Sequence, residues 1–387
     1  MKMVYGTNIW THHQLPVATE LARILGADCF KMVLFNQVDD ERRKLGWAQE
    51  NALPSWVLGP PRSDKERSEI IQQSADADVM IFGACPRGIL ERRVAANKLT
   101  LVASERLLKK SYHRLRMLNP RYARGFAVYR KIVNHDHIHA LAIGHYAPHD
   151  LRAVGAFGDR LWRWGYFVEL NPEPPPPIID RPLQVLWVGR MLKWKKVSTL
   201  LRAIALVHHE KWFGGCTIVG DGPEHTKLLS LSRKLGLDSD SVRFLPPVTF
   251  EVVRRLMQES DVYVMPSNQM EGWGAVIGES MSEGCLVVAN EDGGSARALI
   301  SDSESGFLFR DGDWHQLANI LNEIASNPTL RIRIRQQAWE WMHSRWSPRV
   351  AAERLVSLCE GLLRGVPPDH SDGPCSRIRS ALLRSNY

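Results

Sequence analysis

The chain has 387 residues, of which 44% are hydrophobic and 24% are charged. These proportions exclude an intrinsically disordered chain, and the length favours two domains over a single core. The net charge of +8 indicates an anionic partner, such as a nucleotide, a phosphate, a membrane surface or a nucleic acid, but does not choose among them.

Three features bear on the compartment. No apolar run approaches the roughly 18 residues that a membrane-spanning helix needs. The first ten residues lack the basic region and the long apolar stretch of a signal peptide. The six cysteines are scattered without a Cys-x-x-Cys pair, so neither a disulfide framework nor a zinc site is expected. We therefore expect a cytoplasmic protein, with a peripheral position on the inner face of the membrane as a further option.

The first half alternates short β-rich runs with an amphipathic helical pattern, which is typical of an α/β domain with a parallel sheet. A helix is predicted over residues 16–25, and strands are predicted over residues 31–35, 78–82, 99–103 and 135–142. We assign residues 1–170 to this N-terminal domain.

A proline-rich segment then interrupts the pattern. Asn171-Pro172-Glu173-Pro174-Pro175-Pro176-Pro177 fits neither a helix interior nor a central strand, so a stiff linker is predicted over residues 171–182. A second domain follows at residues 183–345. We expect a C-terminal helix at residues 346–365 that crosses back to the first domain, and a mobile tail at residues 366–387.

In the second domain strands again alternate with helices, which predicts a doubly wound sheet. Ligands of such sheets bind at the carboxyl ends of the strands. Strands are predicted over residues 183–188, 216–219, 242–245, 262–265 and 286–289. Two of them end in glycine turns, at Gly189-Arg190 and at Gly220-Asp221-Gly222-Pro223.

The segment from Glu271 to Glu279 is the first candidate for a ligand site. Two carboxylates stand eight positions apart, and Gly272 and Gly274 allow the backbone to approach a ligand before a helix predicted at about residues 274–283. The start of that helix offers free N–H groups for a phosphate, and Trp273 can exclude water. Alone, the same pattern also fits exposed glutamates beside a glycine-rich turn.

Cations follow the first strand of this domain. Arg190 can bind two phosphate oxygens at once, and Lys195 can act as a point charge. Lysines this close together are otherwise typical of a solvated loop.

Taken in order over about residues 185–308, these segments resemble the retaining glycosyltransferases of family 4, also called group 1, which have the GT-B fold. That fold consists of two Rossmann-like, doubly wound α/β domains facing a central cleft. The matching stretches are Val188-Gly189-Arg190 with Lys195, Val219-Gly220-Asp221-Gly222-Pro223, Val242-Arg243-Phe244-Leu245, Asp261-Val262-Tyr263-Val264-Met265-Pro266-Ser267, and Glu271 to Glu279 with Ser280-Met281-Ser282-Glu283-Gly284.

The resemblance implies a role for each matched position. Arg190 and Lys195 would bind the donor diphosphate and stabilise it as a leaving group, Glu271 would contact the donor sugar and Glu279 would hold the ribose. Further donor-site residues would be Gly189, Gly220, Gly272, Trp273, the backbone N–H groups of Gly274 and Ala275 for the distal phosphate, and Val248 near the base. The chain departs from the family where Lys196 and Pro246-Pro247 stand in place of glycines, which puts the identity of the base in question.

The implied activity is the transfer of a sugar, with retention and without a metal or other cofactor, from a nucleotide diphosphate sugar. The acceptor would be a lipid-linked sugar or a polysaccharide, as in bacterial surface-polysaccharide synthesis. The alternative is an inactive GT-B-like protein that binds a nucleotide, a membrane or a nucleic acid. The intact Arg190, Lys195, Glu271 and Glu279 argue against this alternative.

The acceptor side rests on two candidates in the first domain. His13, next to His12 before the first helix, is a candidate for contact with the sugar or for proton transfer, or else half of a surface histidine pair. Glu105 follows a predicted strand where many family members have a histidine. It is a candidate acceptor base, or else a simple partner of Arg106.

Two further patterns occur in the first domain. The segment Arg106–Lys131 carries nine cations and no carboxylate, with aromatic residues between them, so it suits an anionic lipid surface or a solvated helix pair; nucleic acid is the less favoured partner. His135-x-His137-x-His139 would place three imidazoles on one strand face. A polar strand face explains that pattern better than a metal site does.

Overall fold

The computed structural model describes residues 1–39, 43, 53–109, 119–175 and 181–379. It divides into two compact units, the first formed by Met1–Val168 with Arg345–Tyr387 and the second by Glu169–Ser344. Each unit has its own sheet and its own hydrophobic core.

The first unit contains, among the described residues, a parallel sheet of seven strands in the order β3-β2-β1-β4-β5-β6-β7. Most of its strand residues are buried, as expected for a parallel sheet covered on both faces. The strands are β1 (Met3–Thr7), β2 (Phe30–Leu34), β3 (Val57–Leu58), β4 (Val79–Phe82), β5 (Leu99–Ser104), β6 (Ile138–Ile143) and β7 (Leu161–Trp164).

Helices connect these strands, and several begin at a residue that suits a helix start. In α1, Pro16 lies in the first turn, where no N–H partner is needed, and Val17 and Leu21 face the core. In α2, the Ser63 hydroxyl caps the start by accepting the Glu66 N–H. The helices are α1 (Leu15–Leu25), α2 (Asp64–Asp76), α3 (Arg87–Ala95), α4 (Pro120–Val133), α5 (Ala147–Ala153) and α13 (Pro348–Arg364), the last of which packs on α1.

The second unit contains six described parallel strands in the order β10-β9-β8-β11-β12-β13. They are β8 (Leu183–Val188), β9 (Phe213–Val219), β10 (Val242–Leu245), β11 (Val262–Met265), β12 (Leu286–Asn290) and β13 (Phe307–Phe309). The helices are α6 (Val197–Val207), α7 (His225–Lys234), α8 (Phe250–Glu259), α9 (Val276–Ser282), α10 (Ala296–Leu299), α11 (Trp314–Ser326) and α12 (Pro328–Arg345).

Each sheet has one point at which the chain reverses its direction of winding. In the first unit this point lies between β1 and β4, and in the second it lies between β8 and β11. The loops that leave two such neighbouring strands run to opposite faces of the sheet and leave a crevice at their carboxyl ends. The two crevices are therefore the places where a ligand is expected.

The predicted strand at 135–142 is wrong at its start. The Ile138 N–H donates to the His135 carbonyl at 2.9 Å, so a turn precedes β6. His135 and His137 lie in or next to that turn and only His139 belongs to the strand. The three imidazoles therefore do not share a strand face.

The described parts of the predicted linker and tail make specific hydrogen bonds to the rest of the chain. The Asn171 N–H donates to the Ser282 hydroxyl at 2.7 Å and the Asn171 carbonyl accepts from the Trp339 indole at 3.1 Å, so the start of the linker packs on the second unit. The Arg163 N–H of β7 donates to the Ser376 carbonyl at 2.9 Å, and the Ile378 N–H donates to the Leu161 carbonyl of β7 at 3.0 Å. This part of the tail is therefore paired with β7; residues 176–180 and 380–387 lie outside the described residues.

Candidate functional site

The loops that follow β8 and β9 are joined to each other. The Gly189 N–H donates to the Val219 carbonyl at 3.0 Å, and the Met191 N–H donates to the Asp221 carbonyl at 2.7 Å. A Cβ at Gly220, whose φ is +130°, would collide with the Gly189 carbonyl oxygen. Glycine is thus required at position 220 by both its backbone conformation and the close approach of the neighbouring loop.

Arg190 lies on this joined pair of loops at the end of β8. It is exposed, and among the described residues its guanidinium makes no hydrogen bond and no ion pair. The same loop continues into a short 3-10 helix, Lys193–Lys195. The cation of Arg190 is therefore available at the carboxyl edge of the sheet.

Lys195 meets Glu271 across the point where the winding reverses. Its Nζ lies 2.5 Å from the Glu271 Oε2, and the two side chains are only 17% and 13% exposed. The contact is an ion pair without the alignment of a hydrogen bond. Two residues that are 76 positions apart are thus brought together because they follow the adjacent strands β8 and β11.

The loop with Glu271 is tied to the loop with Lys195 through Asn268, which the sequence analysis did not single out. The Asn268 N–H donates to the Trp194 carbonyl at 3.0 Å, and the Asn268 carbonyl accepts from the Glu271 N–H at 3.0 Å. The only sequence signal for this residue is its position directly after the Pro266-Ser267 turn.

The glycine-rich segment after Glu271 leads into α9, which begins at Val276 rather than near residue 274 as predicted. Gly274 has a φ of +76°, which favours glycine, and Ala275 occupies the N-cap position of the helix. Within the described ranges, neither the Gly274 nor the Ala275 backbone N–H donates a hydrogen bond. Glu271 lies in this loop and not on the helix, so the two carboxylates do not share a helix face.

The other expected donor residues lie in this segment, in α9 and in the loop after β10. Trp273 is buried, and its carbonyl accepts from the Ser295 N–H at 2.6 Å. Gly272 is buried beside it, and Glu279 lies in the first turn of α9 with 9% of its surface exposed. Val248 is half-buried in the loop between β10 and α8.

Tyr263 in β11 lies beneath this site and is a further residue that the sequence analysis did not single out. Its hydroxyl donates to the Val188 carbonyl at 3.2 Å, which links β11 to β8. Burial raises the pKa of Tyr263 well above its usual range, and the charges of Glu279 and Glu271 act in the same direction. Tyr263 is therefore an uncharged residue that links β11 to β8 close enough to both carboxylates to respond to their charge.

Lys196, which stands where the family has a glycine, adopts the left-handed conformation that a glycine would favour, with φ +48° and ψ +37°. Its Nζ lies 2.6 Å from the Asp311 Oδ2. The departure from the family pattern thus leaves the backbone conformation in place and adds an ion pair.

The first unit brings Glu105 and His13 together through Tyr166. The Tyr166 hydroxyl donates to the Glu105 Oε1 at 2.6 Å, and its ring stacks on the His13 imidazole with centroids 5.8 Å apart. The Glu105 Oε2 accepts from the Lys109 Nζ at 2.8 Å. Burial raises the pKa of Tyr166 above its usual range, and the adjacent Glu105 carboxylate adds to this shift.

Arg106 does not pair with Glu105, which was the simpler reading of that carboxylate. Its guanidinium contacts both carboxylate oxygens of Asp150 at 3.2 Å, and both side chains are buried. Arg106 therefore does not contribute an exposed cation to the basic segment Arg106–Lys131. Residues 110–118 of that segment lie outside the described residues.

The remaining described part of the basic segment is α4, which exposes cations along most of its length. Phe126 and Tyr129 are half-buried against the core, whereas Tyr122 and Val128 are exposed. The exposed cations are Arg121, Arg124, Arg130 and Lys131. No helix in the described ranges has the length and the apolar character that crossing a membrane requires.

His139, the only histidine of the triplet within a strand, has a structural environment. Its Nδ1 accepts a hydrogen bond from the Trp162 indole N–H at 3.2 Å. Burial, with a contribution from the charge of Arg160, lowers the pKa of His139 to about 4. The imidazole is thus neutral near pH 7 and is an acceptor for Trp162.

The match to a known protein family lies within the second unit. Residues 173–341 match the family model Glycosyl transferases group 1. The D-inositol 3-phosphate glycosyltransferase of Corynebacterium urealyticum is 32% identical over 201 residues, which are 49% of this chain and 45% of that protein. The amylovoran biosynthesis glycosyltransferase AmsK of Erwinia amylovora is 26% identical over 192 residues, which are 48% of this chain and 46% of that protein. The chain thus spans about half the length of these curated relatives.

The fold is similar over a longer stretch. The crystal structure of HepE from Anabaena in complex with UDP matches with a TM-score of 0.68 and covers 92% of this chain and 98% of that chain. The sequence identity of 17% makes this a likeness of fold alone. Residues 173–341 are therefore similar in sequence to the group 1 glycosyltransferases, and the chain has the GT-B fold of two Rossmann-like α/β domains.

Proposed function

We propose that the chain transfers a sugar, with retention, from a nucleotide diphosphate sugar to a lipid-linked sugar or a polysaccharide. The observation that supports this best is the Lys195–Glu271 ion pair, which lies at the winding reversal of the second sheet within the family match. A cation for a diphosphate and a carboxylate for sugar hydroxyls are the two groups that donor binding requires.

The donor diphosphate would lie between Arg190, Lys195 and the free N–H groups of Gly274 and Ala275. A departing nucleoside diphosphate gains negative charge, and fixed cations and N–H groups stabilise that charge without reorganising. Each such donor is typically worth about 3–4 kcal/mol in the transition state. We propose that these groups perform this role without a bound metal or other cofactor.

The remaining donor-site residues would hold the sugar and the nucleoside. Glu271 would accept hydrogen bonds from the donor sugar, and Glu279 from the ribose. Pro246 and Pro247 have no backbone N–H, so Val248 would be the first residue of this loop with a backbone donor for the base. HepE was crystallised with UDP, which makes a UDP sugar the first donor to test.

On the acceptor side, we propose Glu105 as the group that receives the acceptor proton. Tyr166 and Lys109 hold its two carboxylate oxygens, and His13 stacks on Tyr166 close by. A carboxylate oriented by two donors is suited to proton transfer at a fixed position.

The setting that we propose is bacterial surface-polysaccharide synthesis, with the chain in the cytoplasm and in peripheral contact with the membrane. AmsK is named for amylovoran biosynthesis, and α4 exposes four cations with Tyr122 and Val128 between them. Each cation near an anionic surface contributes about 1 kcal/mol. Sedimentation with vesicles should show binding to phosphatidylglycerol, not to phosphatidylcholine, and loss of binding when Arg121 and Arg124 become glutamate.

A thermal-shift screen against UDP, GDP, ADP and their sugars tests the proposed activity. A nucleotide at about 100 times its dissociation constant should stabilise the protein by about 2.7 kcal/mol. NMR of the product formed from the stabilising donor should then show an unchanged anomeric configuration. No shift with any nucleotide would instead favour the inactive GT-B-like alternative.

A further inference from the structure

We propose that Asp311 is a positioning residue for the donor site, because it fixes through Lys196 the backbone turn that places Lys195 against Glu271. The inference rests on the proposed function and deepens it, since Lys195 and Glu271 are the residues assigned to the donor. Asp311 itself touches neither of them in a recorded hydrogen bond or ion pair among the described residues.

The turn at Lys196 controls the direction of Lys195. Lys196 connects the 3-10 helix Lys193–Lys195 to α6, and its carbonyl accepts from the Thr199 N–H at 2.9 Å. Its left-handed backbone conformation is unfavourable for a residue that carries a side chain. A change of φ at this residue would rotate Lys195 relative to the start of α6.

The side chain of Lys196 is connected to the carboxyl end of β12 through Asp311, which lies two residues after β13. Its Nζ lies 2.6 Å from the Asp311 Oδ2, and the Asp311 Oδ1 accepts from the Asn290 Nδ2 at 2.7 Å. Asn290 is fully buried at the end of β12, and its own Oδ1 accepts from the Asp292 N–H at 3.0 Å. The anchor is therefore a buried amide in the sheet, connected by one carboxylate to the left-handed residue.

The separation in sequence distinguishes this ion pair from an incidental one. Lys196 and Asp311 are 115 residues apart, so their contact constrains two distant loops. The Arg297–Glu291 pair has a similar length of 2.7 Å and similar exposure, but it joins residues only six apart. A glycine at position 196 would satisfy the backbone alone, so the lysine is explained by what its side chain holds.

Hydrogen exchange of the full chain without any nucleotide tests the positioning directly. The Lys195 N–H donates to Leu192 and the Asn268 N–H donates to Trp194, so both amides report on this turn. We expect Asp311→Asn and Lys196→Met, which both keep the backbone preference of the residue that they replace, to accelerate their exchange by about two- to fivefold, while the Arg297→Ala control changes neither. Unchanged exchange at both amides in Asp311→Asn would overturn the inference.

Donor kinetics supply the readout that a merely structural residue would not change. The Michaelis constant for the donor should rise by about fivefold in Asp311→Asn and be largely restored in Asp311→Glu, with the constant for the acceptor unchanged. The double variant Lys196→Met/Asp311→Asn should be no worse than either single variant, because both remove the same contact. Additive losses would contradict a shared contact.

The two proposals fail in distinguishable ways. If the wild-type protein binds no nucleotide but Asp311→Asn still accelerates exchange, the proposed function is wrong and the positioning of the turn stands. If the nucleotide binds and neither exchange nor donor affinity responds to Asp311→Asn, the positioning role is wrong and the proposed function stands.

Discussion

Replacing Lys195 with methionine and Glu271 with glutamine separates two functions that the ion pair combines. Both replacements approximately keep the size of the side chain and remove its charge. In our account Lys195 binds the diphosphate, whereas Glu271 binds the sugar and partly neutralises Lys195 while the site is empty. The two variants should therefore move nucleotide affinity in opposite directions.

The magnitudes follow from the geometry of the pair. Lys195→Met removes a charged donor to the diphosphate, which should weaken UDP binding by about 1.5–3 kcal/mol, or roughly 10- to 150-fold. Glu271→Gln frees Lys195 from an ion pair whose side chains are 17% and 13% exposed. That release is worth about 1 kcal/mol, so UDP binding should be unchanged or up to about fivefold tighter.

Calorimetric titration with UDP, followed by transfer kinetics, measures both quantities. Transfer should fall in both variants, by about 100-fold or more for Lys195→Met. A Glu271→Gln variant that loses UDP affinity and transfer in parallel would refute the assignment of Glu271 to the sugar. Unchanged UDP affinity in Lys195→Met would refute the assignment of Lys195 to the diphosphate.

Two further outcomes are expected. Gly220→Ala should cost about 2–4 kcal/mol of unfolding free energy and weaken UDP binding, because its Cβ meets the Gly189 carbonyl. The control Gly236→Ala, which also has positive φ but open space around it, should cost less in denaturant unfolding and leave binding intact. The pKa of His139 is about 4 in the folded protein against 6.5 in the unfolded chain, so the unfolded chain binds the proton first. The contribution of neutral His139 to the free energy of unfolding should be fully present above about pH 6.5 and should be lost as the pH falls toward 4. The fall should be weaker in His139→Gln, and an identical pH profile in both proteins would contradict this.

The loops that we propose for the donor were predictable from sequence, because strand-end glycines and cations follow one another in a fixed order along the chain. Parallel strands bring their carboxyl ends to one edge, so Arg190, Lys195 and Glu271 are placed together by the strand order alone. The helix start was predicted too early because a left-handed Gly274 ends the loop one residue before the cap.

The contacts of Glu105, which we propose for the acceptor side, and the contact of Lys196 with Asp311 were not predictable in the same way. Tyr166 joins Glu105 from a separate loop, and Asp311 joins Lys196 over 115 residues, so neither contact leaves a local pattern in the sequence. The sequence places Arg106 in a basic surface segment, but in the structure it pairs with Asp150, 44 residues away, and both side chains are buried. Such contacts depend on tertiary packing, which residue type and spacing do not reveal.

The affinity of UDP and of the other nucleoside diphosphates for the wild-type protein and for Arg190→Ala tests the central claim most directly. Arg190 is exposed and makes no recorded side-chain contact within the described part of the chain, so its removal should leave folding stability unchanged. The account predicts binding of at least one nucleoside diphosphate by the wild-type protein and an affinity about tenfold or more weaker in Arg190→Ala. Equal affinity in the two proteins, or no binding by the wild-type protein, would contradict a donor site at the carboxyl edge of the second sheet.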